Sequence, residues 1–491
     1  MSIRNILRSF SALLCTALFL TPTLPAGAQD PDLSYGLPEA IVYNVQAHKQ
    51  ALPKTYMYRV TFRDKRNNSH TVSHPSTFLS AKALARRERL GVRVDAYDLP
   101  VSGVYLDFLR RKGLRIVCTS RWNNTAVVEV ADTALLDGLD RVKFVQDVRR
   151  VYVSPDSVDV TNGFSPILDP DKSMEREDVY GYAATQVRQI GADYLHSRGF
   201  RGQGVTIAVI DGGFNHADSI AALRSARIMA TRNFVMPNRR VTEMEQDHGT
   251  MVLSCLAANL PHILVGTAPE ADYMLLVSED GRSEQLVEED YWCAAVEYAD
   301  SAGADIISTS LGYTTFDHNP GTHRYTELDG RTHVNSRSAS LAASRGLIVV
   351  NSAGNSGDEE WKKIGFPADA DNILAVGAVY SQGLNTAFSS VGPTADGRVK
   401  PDVMAMGGKV ATTGSMGMLQ FASGTSFSCP ILAGGVACLL QAYFNRTPTD
   451  IMQAVRTTAD NAEHPDNIFG YGIANLKAAY ERLSMVTAKE D

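Results

Sequence analysis

The chain has 491 residues, which is long enough for two or three domains. Hydrophobic residues make up 44% of the chain and charged residues 21%, an ordinary globular balance that can fill a large core. The formal net charge of −7 argues against nucleic acid or an anionic membrane surface as a main partner.

Residues 1–28 have the features of a signal peptide. Arg4 and Arg8 supply a positive start, residues 10–20 form a short apolar run, and the sequence AGA before Gln29 has the pattern of a cleavage site. The apolar run is too short to span a bilayer, and no later stretch has about 18 uninterrupted apolar residues, so we expect no membrane span. The sequence therefore predicts an exported protein, extracellular or periplasmic. A retained N-terminal anchor is the less favoured alternative.

Residues 29–154 are predicted to form a small α+β domain. Apart from one extra helix, its predicted elements follow the order β-α-β-β-α-β, which is the split βαβ pattern. The predicted strands are 56–62, 114–119, 125–130 and 142–148, and the predicted helices are 80–90, 104–112 and 132–139. Residues 155–178 contain several prolines and aspartates without periodicity, which predicts a linker.

Residues 179–491 have a different pattern, in which short apolar runs alternate with segments of helical length. Strands that are apolar on both faces predict a parallel sheet covered by helices, a three-layer α/β domain. The predicted strands are 205–210, 273–277, 305–308, 347–351 and 373–376. Catalytic groups in such folds collect at the carboxyl ends of the strands.

Three short segments carry the residue types of a nucleophilic hydrolase. Asp211 ends a predicted buried strand in the sequence VIDGG. His248 opens a predicted helix in the sequence DHGT, and Ser426 starts another in GTSFSCP. Taken singly, each has a structural explanation: a turn aspartate, a capping histidine and a buried helix start. Taken together, they supply a serine nucleophile, an imidazole to take its proton and a carboxylate to orient the imidazole.

The chain order Asp, His, Ser is that of subtilisin and differs from the order in trypsin-like and α/β-hydrolase triads. The three segments resemble the signatures of the subtilisin-like serine proteases, the subtilase family, and the resemblance covers roughly residues 185–483. It implies a subtilisin-like catalytic domain in which Asp211 orients His248, His248 is the general base, and Ser426 attacks the scissile carbonyl. The expected function is a secreted serine endopeptidase that cleaves proteins or peptides through an acyl-enzyme.

Further segments extend the resemblance to the oxyanion hole and the substrate cleft. Asn355, in the sequence SAGN, resembles the family's asparagine that donates to the oxyanion together with the backbone N–H of Ser426. The resemblance implies substrate-binding roles for Ser310, Leu311, Gly312, Ser352, Ala353, Gly354 and Gly365. A glycine at position 365 leaves room in the S1 pocket and favours a large apolar P1 side chain. Gly212 and the pair Phe427-Ser428 depart from the family pattern, and neither change removes a reacting group.

The N-terminal domain resembles the family's propeptide, which assists folding and blocks the cleft until it is cleaved. A large parallel sheet folds slowly because its contacts are non-local, which gives a folding template a physical purpose. We therefore expect a self-processing zymogen that is cut between about residues 155 and 182. Its own propeptide is the expected intramolecular inhibitor, and a permanently attached domain is the alternative.

No metal-binding motif is evident in the sequence. The expected chemistry requires no cofactor, and structural calcium is frequent in subtilases, but no calcium ligands stand out and the metal ligands are unknown. His318, His323 and His333 lie in a predicted insertion, 313–334, beside the cleft. We expect these to be scattered surface histidines rather than a metal site because no ligand spacing is evident.

Two further groups of residues receive structural interpretations. Glu288, Glu289 and Asp290 are expected to form a solvated helix start, where acidic side chains suit the helix dipole. The cysteines after the signal peptide match no metal or redox spacing, so we expect free thiols that act as small buried hydrophobes.

Two other functions compete with the protease. A catalytically inactive subtilase fold used for binding usually lacks one of the four key residues, and all four are present here. The related acid-active serine peptidases carry glutamate in place of the histidine and aspartate in place of the oxyanion asparagine. His248 and Asn355 therefore argue against that class.

Overall fold

The computed structural model describes residues 46–162, 170, 172–317 and 322–490, so the predicted signal peptide lies outside the described residues. The N-terminal unit contains strands β1 (Gln46–Ala51), β2 (Tyr56–Phe62), β3 (Arg115–Ser120), β4 (Thr125–Val130), β5 (Val145–Val153) and β6 (Ser157–Asn162), with helices α1 (Ala81–Arg89) and α2 (Gly103–Arg111). Four strands form an antiparallel sheet in the order β3-β4-β2-β5, and β1 pairs separately with β6.

The N-terminal unit differs from the predicted pattern at two places. The helix predicted over 132–139 is wrong, because these residues form two short 3-10 turns, Thr133–Leu136 and Leu139–Arg141. Gly138 separates the turns with a φ of 77°, a left-handed conformation that a continuous helix does not allow. The predicted linker also begins with strand β6, which pairs with β1, so the ordered pairing of the N-terminal unit extends to Asn162.

The following residues fold around a parallel sheet. Its strands and two small hairpins are β7 (Thr206–Asp211), β8 (Arg227–Asn233), β9 (Asn259–Leu260), β10 (Leu264–Val265), β11 (Asp272–Val277), β12 (Ile306–Thr309), β13 (Ile348–Ser352), β14 (Leu374–Val379), β15 (Val403–Met406), β16 (Val410–Thr413) and β17 (Leu419–Ala422). The helices are α3 (Ala184–Gln189), α4 (Ala192–His196), α5 (His248–Ala257), α6 (Val287–Ala302), α7 (Val334–Ser344), α8 (Thr425–Ala442), α9 (Pro448–Thr457) and α10 (Leu476–Glu490).

The order of the strands places the ends of β7 and β12 next to each other in the middle of the sheet. The seven-stranded sheet has the order β15-β14-β13-β12-β7-β11-β8, and every neighbouring pair is parallel. On one side of β7 the chain first adds β8 at the edge and then inserts β11 between β7 and β8, and it then adds β12 on the other side of β7. Ligands bind where the strand order reverses in this way. Asp211 ends β7, and Ser310 directly follows β12.

Helix α8 runs through the core of this domain. It is long and apolar enough to cross a membrane by composition alone, but 89% of it is buried in the fold. Its glycines explain the close packing: a Cβ on Gly434 would lie 2.1 Å from Oγ1 of Thr267, and one on Gly435 would lie 2.3 Å from Leu476. The predicted helix of small residues is therefore a core helix whose first turn carries Ser426.

The N-terminal unit packs against helices α6 and α7. Met57 and Tyr152 belong to the same buried cluster as Tyr291 and Trp292 of α6. Because this unit covers the start of α6, the prediction of a solvated helix start is wrong. The three acidic residues concerned are buried, with relative exposures of 2%, 1% and 3% for Glu288, Glu289 and Asp290.

Further along α6, two buried carboxylates accept hydrogen bonds from the N-terminal unit. The carboxylate of Asp300 accepts hydrogen bonds from three arginines: Arg86, Arg87 and Arg121. Glu297 accepts hydrogen bonds from the hydroxyl of Ser120 and from the backbone N–H groups of Arg121 and Trp122. The interface is thus held by buried charge pairs as well as by apolar packing.

The prediction of free thiols is confirmed: Cys118, Cys255, Cys293, Cys429 and Cys438 are all unpaired, and all except Cys118 are fully buried. Burial raises the pKa of Cys429 to about 12, so this thiol stays protonated at neutral pH. These side chains behave as small hydrophobes in the core.

Candidate active site

Asp211 and His248 form a direct hydrogen-bonded pair. Asp211 is fully buried at the end of β7, and its Oδ1 lies 2.8 Å from Nδ1 of His248, the first residue of α5. Gly249 makes this approach feasible, since a Cβ there would lie 2.4 Å from the carbonyl oxygen of Gly213 and 3.0 Å from Cβ of Asp211. The carboxylate therefore fixes the orientation of the imidazole and favours the tautomer with hydrogen on Nδ1.

The same carboxylate changes the acidity of the imidazole. Burial lowers the pKa of His248, but the charge of Asp211 and its hydrogen bond raise it by more, so the pKa lies above its ordinary value of 6.5. Nε2 of His248 is buried and has no hydrogen-bond partner in the described parts of the chain. That nitrogen is available to a group in the adjacent cleft.

Ser426 lies in the same cleft, in the first turn of α8. Its Oγ lies 3.3 Å from the backbone oxygen of Ser310, and the hydroxyl of Ser310 donates in return to the backbone oxygen of Ser426 at 2.8 Å. Among the described residues, no hydrogen bond joins Ser426 to His248 directly. Such contacts often tighten only when substrate is bound.

Hydrogen bonds from Thr425 orient the side chain of Asn355. Its Oδ1 accepts hydrogen bonds from the backbone N–H of Thr425 at 2.9 Å and from the Thr425 hydroxyl at 2.8 Å. With the oxygen so assigned, the NH₂ group remains as a donor in the cleft that His248 and Ser426 also line. The arrangement brings a serine hydroxyl, an imidazole nitrogen and an amide donor to one cleft.

Comparison with protein families identifies both parts of the chain. The subtilase family model matches residues 202–472. The chain belongs to the subtilase family. A second model, the peptidase S8 propeptide domain of Bacteroidota, matches residues 57–162, which include most of the N-terminal unit. This subtilase is a serine-type endopeptidase that carries a propeptide domain ahead of its catalytic domain.

Curated relatives agree with this assignment. Subtilisin NAT of Bacillus subtilis subsp. natto is 30% identical over 319 residues, which cover 63% of this chain and 76% of that protein. Subtilisin DY of Bacillus licheniformis is 30% identical over 299 residues, which cover 59% of this chain and 96% of that protein. Among solved structures, the prenylagaramide maturation protease PagA is 24% identical with a TM-score of 0.48, and the match covers 60% of this chain and 98% of that chain.

The residues expected to bind substrate lie around one cleft, with one exception. The cleft is lined by His248, Ser310, Leu311, Gly312, Ser352, Gly354, Asn355, Gly365 and Ser426, among others. Ala353 does not line the cleft, because its side chain is buried in a small cluster with Phe366 behind the wall. The backbone oxygen of Ala353 accepts a hydrogen bond from the N–H of Gly365, a cleft residue, at 3.1 Å. The substrate-binding role expected of Ala353 stays a prediction.

Sequence reasoning missed two carboxylates of the subtilase cleft, Glu279 and Glu284. Glu279 is 4% exposed and accepts a hydrogen bond from the hydroxyl of Tyr313. Burial and the nearby charge of Glu284 raise the pKa of Glu279 to about 8, so this carboxyl is largely protonated at neutral pH. The sequence did contain a signal for Glu279. It follows β11 just as Asp211 ends β7, and because these neighbouring strands are parallel, both residues lie at the same edge of the sheet.

Calcium ligands are not evident in the described residues. One group of three carboxylates converges there, Glu279, Glu284 and Glu288. The carboxylate of Glu288 already accepts hydrogen bonds from the backbone N–H groups of Asp280 at 2.7 Å and Gln285 at 2.8 Å. Burial also raises the pKa of Glu288. Calcium requires six to eight oxygen ligands and charged carboxylates, so this group does not fit it. Structural calcium stays a prediction without assigned ligands.

Proposed function

We propose that the protein is an exported, self-processing serine endopeptidase whose catalytic triad is Asp211, His248 and Ser426. The hydrogen bond of 2.8 Å between Asp211 and His248 carries the proposal. It leaves Nε2 of His248 without a partner among the described residues, in the cleft that Ser426 lines. A buried carboxylate behind an imidazole is the arrangement that activates a serine hydroxyl.

In the proposed mechanism, Oγ of Ser426 attacks the scissile carbonyl carbon while Nε2 of His248 takes the hydroxyl proton. His248 then gives this proton to the leaving amine, the C–N bond breaks, and an acyl ester remains on Ser426. A water molecule attacks the ester and loses its proton to His248. His248 returns this proton to Oγ of Ser426 as the ester bond breaks and the carboxylic acid is released. Asp211 stays ionised throughout and stabilises the imidazolium form.

The tetrahedral intermediates carry negative charge on the former carbonyl oxygen. The NH₂ group of Asn355 and the backbone N–H of Ser426 are the proposed donors to this oxyanion. The start of α8 adds a favourable dipole, because the first N–H groups of a helix have no partner within the helix. Hydrogen bonds from fixed donors in a dry cleft stabilise the transition state more than the ground state.

The proposal also divides the chain into four parts. Residues 1–28 are the proposed signal peptide, 29–154 the propeptide and inhibitor, 155–178 the linker with the processing site, and 179–491 the catalytic domain. Because β6 pairs with β1 up to Asn162, we place the cut after this pairing, within residues 163–178. Export to an extracellular or periplasmic site is part of the same proposal, as is a preference for large apolar P1 residues at Gly365.

Labelling with a fluorophosphonate tests the nucleophile and the processing together. The chain without residues 1–28 is treated with the probe, and intact masses are recorded beside Ser426→Ala. Ser428→Ala is a matched control, because this buried serine lies in the same helix and donates only to the backbone oxygen of Thr425. We expect labelling and loss of the propeptide in the wild type and in Ser428→Ala, and neither in Ser426→Ala.

Other outcomes would change the proposal in defined ways. Labelling without cleavage would keep the triad and make the N-terminal unit a permanent domain. Labelling that persists in Ser426→Ala would assign the nucleophile to another residue. Absence of labelling in a folded chain from which residues 29–178 are removed would favour an inactive fold used for binding.

A further inference from the structure

A buried cluster of two imidazoles and a carboxylate lies behind the substrate cleft. Oε1 of Glu289, in the first turn of α6, lies 2.6 Å from Nε2 of His323. The ring of His333, at the start of α7, lies over that of His323 with 3.5 Å between the ring centroids. One potential ligand atom from each of Glu289, His323 and His333 lies within 4.8 Å of the other two. The expectation of surface histidines is wrong for His323, which is 5% exposed.

From this geometry we propose that Glu289, His323 and His333 bind one divalent transition-metal ion, with Zn²⁺ as the preferred ion. Two imidazole nitrogens and one carboxylate oxygen form a ligand set that Zn²⁺ takes in proteins, with a fourth position left for water or another side chain. Tetrahedral ligands at about 2.0–2.2 Å from the metal stand roughly 3.3 Å apart. The three potential ligand atoms are therefore near enough to one another to bind a single ion after small rotations of their side chains.

A second carboxylate supports the site from outside. Oε2 of Glu327 lies 3.2 Å from Nε2 of His333, and Glu327 is held in turn by Arg324. Metal-bound histidines usually bond a carboxylate through their other ring nitrogen, which fixes the ring and raises its basicity. A simple structural pair of His323 with Glu289 would need neither the second imidazole nor this second carboxylate.

The surroundings suit a bound cation. The positive charge of Arg59 lies 3.9 Å from the other oxygen of Glu289, but Asp290 neutralises it through two hydrogen bonds. The side chains of His333 and Glu327 are 13% and 20% exposed, so the cluster has a route to solvent on that side.

The ion would connect separate parts of the cleft wall. The ring of Phe366 lies 4.8 Å from His323 and 4.6 Å from His333, and Phe366 directly follows Gly365 of the cleft. The backbone of Phe366 also pairs with that of Tyr313. A metal held by α6, the insertion and the start of α7 would stabilise this wall without touching the reacting groups.

Metal titration of the whole chain tests the site. The chain without residues 1–28, carrying Ser426→Ala so that it cannot cleave itself, is freed of metal with EDTA and titrated with Zn²⁺ by calorimetry. Co²⁺ replaces Zn²⁺ in a parallel titration, because its visible absorption reports tetrahedral nitrogen and oxygen ligation. We expect one equivalent to bind, with a visible Co²⁺ band, and His323→Gln and His333→Gln to weaken binding at least 10–100-fold.

The controls separate this site from others on the chain. His464→Gln removes an exposed histidine outside the cluster and should leave the affinity unchanged. Glu327→Gln should weaken binding about tenfold while retaining the shape of the side chain. Lack of saturable binding, or binding equally tight in both cluster variants, would overturn the proposal. If a cluster variant fails to fold, the stoichiometry and Co²⁺ spectrum of the parent chain decide alone.

Discussion

Arg59 of the propeptide domain and Asp290 of the catalytic domain form a buried, two-bond ion pair. Nε of Arg59 lies 2.6 Å from Oδ1 of Asp290, and Nη2 lies 2.8 Å from Oδ2. Both side chains are less than a tenth exposed. An ion pair of this kind contributes little compared with apolar residues of the same shape, but the loss of one partner leaves an uncompensated charge. The interface is therefore sensitive to single substitutions.

Substitution of Arg59 by Met should destabilise the uncleaved chain. Asp290 would then remain buried without its cation, and the free energy of unfolding should fall by about 3–5 kcal/mol. Urea unfolding of the Ser426→Ala chain measures the effect. Arg59→Met combined with Asp290→Leu should recover most of the loss.

An exposed pair of the same type provides the control. Arg110 and Asp107 lie 2.7 Å apart but are 56% and 57% exposed. Arg110→Met should therefore lower the free energy of unfolding by less than about 1 kcal/mol, because solvent screens the pair. Equal effects at both sites would contradict the assignment of a buried charge interface.

The pH profile should follow the imidazole of His248. Only the neutral base accepts a proton, and the pKa of His248 is raised by Asp211, so kcat/KM should rise with pH through a value above 6.5 and persist at pH 8. In Asp211→Asn the residual activity should be far lower and its rise should move to lower pH, because the charge that raises the pKa is gone. Activity that disappears above pH 5 would exclude an imidazole base.

The oxyanion donor should affect turnover rather than binding. Asn355→Ala should lower kcat by roughly 10²–10³ with little change in KM, the loss known for the corresponding donor of subtilisin. Steady-state kinetics on a peptide substrate measure both constants. Asn238→Ala, an exposed asparagine, should change neither. A large increase in KM at unchanged kcat would indicate that Asn355 binds substrate instead.

The space at Gly365 should set the preferred size of the P1 side chain. A Cβ at this position would lie 3.5 Å from Cα of Gly312, an ordinary contact, so Gly365→Ala should fold normally and narrow the pocket. The ratio of kcat/KM for P1 Phe over P1 Ala should fall by about 10–200-fold, the range for one methylene in an apolar pocket. An unchanged ratio would place the S1 wall elsewhere.

Local sequence signals predicted the central strands well, for a physical reason. Strand β7 is buried along its whole length, so its apolar run was visible, and Asp211 at its end interrupted that run. Strand β8 was missed because it lies at the edge of the sheet, where Arg227 and Arg232 face solvent and no apolar pattern arises. Asn355 was predicted from its segment, although its orientation by Thr425 was not.

Features that depend on contacts between distant segments were not predictable from residue type. Glu289 and Asp290 have the composition of a solvated helix start, and only the packing of the propeptide domain buries them. Likewise, His323 and His333 show no ligand spacing, because their third partner lies on another helix. Burial of charge in this chain is a property of the assembled domains.

Glu279 should make stability fall as the pH rises. Its pKa is about 8 in the folded chain and near 4.5 when unfolded, so between these values the unfolded state releases a proton that the folded state keeps. The free energy of unfolding should therefore decrease with pH across this window, by at most about 1.4 kcal/mol per pH unit for one proton. Glu279→Gln can still accept the Tyr313 hydroxyl and should flatten the dependence, measured by urea unfolding of the Ser426→Ala chain between pH 4.5 and 8. Exposed Glu359→Gln should leave the slope unchanged, and an unaltered slope in Glu279→Gln would mean that Glu279 is ionised in the fold.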